Sequence, residues 1–205
     1  MPAKSTGGLP FAHLHVASSF SMQYGVTSPE DLVARAVQHG QSALAVTDRD
    51  GVRGAVRFVR AAAAVGLPSV LGAEVRIAPA TPHRSQEVST GGRRTPVRGG
   101  TWRDVPTQRV VLLARDRRGW ASLCRLLSTA YTREPAALTL DDLADRHEGL
   151  FVLLGPRSDV VAAIDARRFD LAEQAVAPWR EIFGAHLRIQ ITSHRHERGA
   201  LSTAT

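Results

Sequence analysis

Cysteine is nearly absent from this chain of 205 residues. Cys124 stands alone, so neither an internal disulfide nor a cysteine-cluster zinc site can form. No stretch approaches the roughly 20 uninterrupted apolar residues that span a bilayer as a helix, which excludes an integral helical membrane protein. The opening residues MPAKSTGGLPF lack the apolar core of a signal peptide. No G-x-G-x-x-G follows a strand and no G-x-x-x-x-G-K-[ST] loop occurs, which disfavours those two routes to nucleotide binding. No G-x-S-x-G and no Cys/His nucleophile pair is present, which disfavours acyl transfer. Together these absences predict a soluble, reduced, cytoplasmic protein.

Lysine is as scarce as cysteine: Lys4 is the only one among 26 basic residues. The net charge of +7 is therefore almost wholly arginine, in a chain also rich in alanine. That bias reads as genome-wide codon preference, so it is weak evidence for DNA binding. Part of the excess is local. Between positions 80 and 108 five arginines face Glu87 and Asp104, a surplus of +3. The first reading of that segment is a solvated loop, and the second is contact with nucleic acid.

The hydrophobic content of 43% suffices for one substantial core. Strand-like runs at 11–16, 43–47, 69–71 with 74–77, 110–114, 150–154 and 187–192 alternate with helical patterns. The helical patterns lie at about 29–40, 52–64, 118–131, 140–144, 159–166 and 171–183. Ser28-Pro29-Glu30-Asp31 opens the first helix, with Ser28 as cap, and Gly40 closes it. Gly72 marks a break in the third strand. Pro178 marks a kink or junction in the last helix. Residues 80–108, rich in glycine, proline and polar residues, predict a mobile insertion. Near-continuous apolar strands between helices predict a parallel sheet, open or barrel-like, with chemistry at the strand C-termini.

Few residues carry chemistry. His13-Leu14-His15 places two imidazoles on one face of the first strand, where they can share a metal or pack as ordinary surface histidines. Glu74, near the end of the third strand, would complete a set of two histidines and one carboxylate. Asp48 and Asp50 read as a helix cap and a turn residue rather than as a two-metal carboxylate pair. A second H-x-H, His194 and His196, follows the last strand. Cys124 reads as a small core residue.

The ordered pieces H-L-H, F-S-M-x-x-G, S-P-E-D-L-V-x-x-A-x-x-x-G, A-L-A-V-T-D-R-D-G-V-x-G-A-V-R-F, G-L-P-S-V-L-G-A-E-V, L-L-A-R-D-x-x-G-W-x-x-L-C-R-L-L-S and P-W-R-E-I-F-G resemble one known family. It is the N-terminal polymerase-and-histidinol-phosphatase (PHP) domain of bacterial C-family DNA polymerases. The resemblance is greatest to the error-prone, damage-associated branch of the polymerase III alpha family, and covers residues 9–196. It implies an α/β fold, a distorted seven-stranded β/α barrel, incomplete here at its C-terminus. Residues 1–8 and 197–205 are expected as disordered ends. In active members His and Asp/Glu ligands at the strand ends bind metals for phosphoester hydrolysis or proofreading.

Carried over by position, His13, His15 and Glu74 match ligands. Tyr24 stands where an acid is expected. Arg49 and Arg109 stand where histidines are expected, and Gly155-Pro156 replaces a further ligand. The closing D-x-H would lie beyond Thr205, and the palm with its catalytic aspartates is not in this chain. The resemblance thus implies a truncated N-terminal fragment of an error-prone polymerase. It would have no catalytic residues of its own and a degenerate site holding at most one zinc, manganese or magnesium ion. Arg49 is expected to pair with Glu74 in place of a metal. The implied role is structural, in DNA replication and translesion repair. The partners would be the rest of the polymerase or other translesion-synthesis proteins, with DNA contacted indirectly. The alternatives are a stand-alone PHP-superfamily metal-dependent phosphoesterase and a DNA-binding module built on the insertion.

Overall fold

A computed structural model describes residues 11–78 and 108–192. The expectations for 1–8, for nearly all of the 80–108 insertion, for His194 and His196, and for 197–205 lie outside the described residues. The elements run β1 (Ala12–His13), α1 (Pro29–Gln38), β2 (Ala43–Arg49), α2 (Ala55–Ala64), β3 (Ser69–Arg76), β4 (Arg109–Ala114), α3 (Arg117–Ala130), α4 (Leu140–Arg146), β5 (Leu150–Leu154), α5 (Asp159–Asp165), α6 (Phe169–Phe183) and β6 (Leu187–Ile189). The strands form one sheet in chain order, curled into a six-strand half-barrel.

Local signals account for α1. The Ser28 hydroxyl accepts from the Asp31 N–H, Pro29 sits in the first turn, and Glu30 and Asp31 face the positive end of the helix dipole. Gly40, at φ +63°, ends it in the left-handed region that glycine adopts without strain. Val33 and Ala36 are buried against Leu44 and Val46 of β2 and Phe58 of α2, whereas Val37 faces solvent.

Strand direction departs from expectation. β1, β2 and β3 are parallel, β4 runs antiparallel to both β3 and β5, and β5 and β6 are again parallel. A central strand covered on both faces is continuously apolar whichever way it runs, so hydrophobicity alone does not report direction. Gly72 does not interrupt β3. A Cβ there would stand 2.4 Å from the Leu112 carbonyl oxygen, so the glycine permits close approach of β4. β1 is shorter than the 11–16 run suggested. The Val16 N–H donates to the Thr47 hydroxyl (2.9 Å) and the Val16 carbonyl accepts from the Thr47 N–H (2.8 Å). The chain therefore stays beside β2 after a side chain has replaced part of the ladder.

Alternation along the strands sorts the core. Ala73, Val75, Val110, Leu112, Leu150, Val152 and Leu154 pack against Leu123, Leu126, Leu143, Trp179 and Phe183 of the helices. The opposite, concave face carries Ala45, Val111, Leu113 and Leu153. Among the described residues no helix is long and apolar enough to cross a membrane.

The start of α4 adds a pH-dependent contribution. Thr139 and Asp142 form a reciprocal capping box, and Arg133 donates to both Asp142 oxygens at 2.7 and 2.9 Å. The Arg133 guanidinium, aided by Thr139 and opposed by burial, holds the Asp142 carboxyl down to about 2 from its ordinary 3.8. A carboxyl depressed in the folded state contributes stability that is complete above its unfolded value. That stability is lost as pH falls through the folded value. Arg133→Met should therefore flatten the acid limb of stability between about pH 4 and 2. Urea midpoints measured across that range check it.

Candidate functional site

Ala45 faces the concave side, and every second residue of β2 shares its face, which brings Thr47 and Arg49 there. On β3 the same parity takes Val70 to Glu74, and on β4 it takes Val111 back to Arg109. The parallel register of β2 and β3 sets Arg49 beside Glu74. Arg49 Nε lies 2.5 Å from Glu74 Oε2, with the two side chains 15% and 6% exposed. The Arg49 guanidinium carbon also lies 3.1 Å from the centroid of the Tyr24 ring. Arg109, equally buried, donates to both Asp50 oxygens at 2.6 and 3.2 Å and to the Glu74 carbonyl oxygen at 3.3 Å. Asp50 is held at φ +50°, with its carbonyl accepting from the Tyr131 hydroxyl (2.6 Å). Tyr24, Arg49 and Arg109 thus occupy the mouth of the half-barrel as parts of two adjoining ion pairs.

The segment bearing Tyr24 is anchored by Asp48. Its carboxylate accepts from the Ser18 N–H (2.7 Å), the Ser18 hydroxyl (2.8 Å) and the Ser21 hydroxyl (2.7 Å), all buried. Ser21 Oγ in turn accepts from the Arg49 N–H (3.0 Å). Asp48 is therefore not a helix cap: α2 starts after Gly54 with no side-chain cap. Its position on the face of β2 opposite Arg49 aims it at the serines instead.

The histidines sit across the mouth. His15 Nδ1 lies 3.0 Å from Gln190 Oε1, beyond the end of β6. Burial, and then the neighbouring His15, push the His13 imidazole below its ordinary value. His13, His15, Arg49, Glu74, Arg109 and Gln190 line one cleft of about 880 Å³. Sharing a cleft does not gather His13, His15 and Glu74 into a ligand set. Among the described residues no group of three His, Cys, Asp or Glu side chains could hold a metal ion. Among the described residues Glu74 is committed to Arg49 and His15 to Gln190, a pairing that does not suit a divalent ion.

Two contributors escaped the sequence reading. Asp50 was legible only as a turn residue, yet it also neutralises Arg109. Gln190 carried no signal, because its partner His15 is 175 residues away. Gly155, at the end of β5, packs against the Gln190 side chain, where a Cβ would meet Oε1 at 3.0 Å.

Comparison with known proteins places this geometry. The PHP domain family matches residues 13–194. An error-prone DNA polymerase from Cutibacterium acnes is 32% identical over 194 residues, which are 91% of this chain and 16% of that protein. A DNA polymerase III subunit alpha from Xylella fastidiosa is 29% identical over 201 residues, 89% of this chain and 15% of that protein. The chain thus spans about a sixth of the length of these two relatives. Among solved structures, an amidohydrolase from Chromobacterium violaceum, with bound sulfate and no metal, matches with a TM-score of 0.52 and 16% identity. That match covers 94% of this chain and 80% of the other, and it is a likeness of fold. The half-barrel, the order of its strands and a match that begins at His13 and runs past β6 make this chain a member of the PHP domain family.

Proposed function

We propose that the chain serves as the N-terminal PHP domain of an error-prone C-family DNA polymerase, in which an internal ion pair has replaced the metal centre. The observation that carries this reading is the Arg49–Glu74 pair. A guanidinium stays charged at every physiological pH, so Arg49 keeps a fixed cation against the carboxylate that a divalent ion would need. Arg109 adds a second fixed charge beside it. An ion entering this mouth would meet two guanidinium groups and no uncommitted carboxylate among the described residues. The domain then acts as a scaffold in the cytoplasm. It packs against the remainder of a polymerase or another translesion-synthesis protein and contacts DNA only through them.

Elemental analysis tests the reading. The purified chain, exposed to zinc, manganese and magnesium and then dialysed, is expected to hold well under one ion per molecule. Two or three ions would overturn it. Hydrolysis of p-nitrophenyl phosphate that depends on manganese and disappears in His13→Ala would establish the stand-alone phosphoesterase instead.

A further inference from the structure

Helix α3 divides its surface between two tasks. Leu123, Leu126, Leu127 and Ala130 pack into the core. Arg118, Ser122, Arg125 and Thr129 recur at helical spacing, which sets them on one stripe, and Thr132 continues it just past the helix end. The last turn of α4 and the residues after it face this stripe and divide it into two adjoining clefts. In the first, of about 470 Å³, Asp145 and Glu148 stand among the arginines, and Arg118 donates to Glu148 at 3.4 Å. The second, of about 340 Å³, has no carboxylate among the described residues. Arg125 and Arg146 line it, together with Cys124 and the hydroxyls of Ser128, Thr129 and Thr132.

The polar groups of the second cleft are unspent. Arg125 and Arg146 are exposed, and neither has an ion-pair partner among the described residues. Arg146 donates to the Thr129 hydroxyl at 3.4 Å, which draws its guanidinium over α3. The Ser128 and Thr132 hydroxyls donate to carbonyls of their own chain turn, those of Cys124 (3.0 Å) and Thr129 (2.7 Å). Such bonds are local alternatives that a change of rotamer releases without unwinding the helix. Burial pushes the Cys124 thiol up, so it stays neutral and supplies no competing anion beside the arginines.

We propose that this second cleft binds one phosphate group, free or as the monoester of a nucleotide, between Arg125 and Arg146. A guanidinium presents paired N–H donors that match two oxygens of a phosphate. Two of them from different helices grip the group from two sides, and the Ser128 and Thr132 hydroxyls supply neutral donors. Asp145 and Glu148 repel an anion from the first cleft and confine it to the second. The same two acids explain why the ligand is one group and not a strand. They interrupt the basic stripe beside Arg118, where a neighbouring phosphate of a polynucleotide would have to lie. The inference goes beyond the scaffold role and does not depend on it. The cleft lies on the helix-covered side of the sheet, and Arg49 and Glu74 face the concave side.

Calorimetric titration of the full chain tests it, in chloride at about 0.15 M, which screens unspecific attraction beyond about 8 Å. The probes are inorganic phosphate, deoxyadenosine monophosphate and a thymidine hexamer with unphosphorylated ends. The first two are expected to bind, and the hexamer about tenfold or more weakly than either. A monophosphate that binds tighter than phosphate assigns the nucleotide as ligand, and one that binds no tighter assigns free phosphate. Arg125→Gln and Arg146→Gln should each weaken phosphate binding about tenfold. Arg60→Gln, on exposed α2, should leave it unchanged. Asp145→Asn should tighten it about twofold to threefold, a gain that a merely misfolded variant would not produce. Absence of phosphate binding, a hexamer bound as tightly as the monophosphate, arginine variants that bind like the parent, or no gain in Asp145→Asn would each overturn the inference.

Discussion

Arg49→Ala is expected to lower the unfolding free energy by about 3–5 kcal/mol, because it leaves the buried Glu74 carboxylate without its ion-pair partner. Glu74 is 6% exposed and Arg49 is its one ion-pair partner among the described residues. An exposed pair would behave differently, since surface ion pairs contribute only about 0–1 kcal/mol. The size of the loss therefore reports how thoroughly the pair is desolvated. Part of it comes from Tyr24, whose ring loses the guanidinium lying against it. The double replacement Arg49→Met with Glu74→Leu separates the two causes. With both charges gone and the volume kept, stability should return to within about 1–2 kcal/mol of the parent. Urea denaturation with an unchanged slope measures both variants. A loss below about 1 kcal/mol in Arg49→Ala would show the pair to be solvated and would weaken its claim to stand in place of a metal.

What could be read from the sequence divides by the distance over which each signal acts. The cap at Ser28, the proline after it and the glycine at position 40 lie within one helix, and α1 follows them closely. The direction of β4 depends on the path between β3 and β4, and an apolar run such as Val110 to Leu113 is the same sequence in either direction. Arg49 and Arg109 were legible as departures because the family resemblance marks those positions for ligands. Their partners were not equally legible. Glu74 was expected, since it ends the neighbouring strand, whereas Asp50 looked like a turn residue and is one, at φ +50°, while also holding Arg109. Exposed apolar surface follows from the incomplete barrel that the resemblance implies, but which residues carry it does not: Phe11, Leu14, Ile189 and Ile191 look like ordinary strand residues, and they stand exposed because β1 and β6 are the edge strands among the described residues.

Asp48→Ala is the second large effect expected, about 3 kcal/mol or more, and it reaches the site from the other face of β2. Three short hydrogen bonds converge on this one carboxylate from Ser18 and Ser21, which are 0% and 1% exposed. Removing it strands buried donors, at about 1–3 kcal/mol for each that water does not reach. Gly25 closes the Tyr24 segment so tightly that a Cβ would stand 1.9 Å from the Ser18 carbonyl oxygen. Asp48→Asn should lose less, because one oxygen still accepts while its amide group opposes the remaining donors. The freed segment carries Tyr24 away from Arg49, so the two variants should couple. Combining Asp48→Ala with Arg49→Ala should cost less than the separate losses added together, since both remove the same contact between ring and guanidinium. Limited proteolysis supplies a readout that stability alone would not: cleavage within residues 19–27 should appear in Asp48→Ala and stay absent in Arg49→Ala. Strict additivity, or a protease-resistant segment in Asp48→Ala, would show that Asp48 supports the core without positioning the mouth. The placement of Tyr24 over Arg49 would then have to come from the aromatic contact itself.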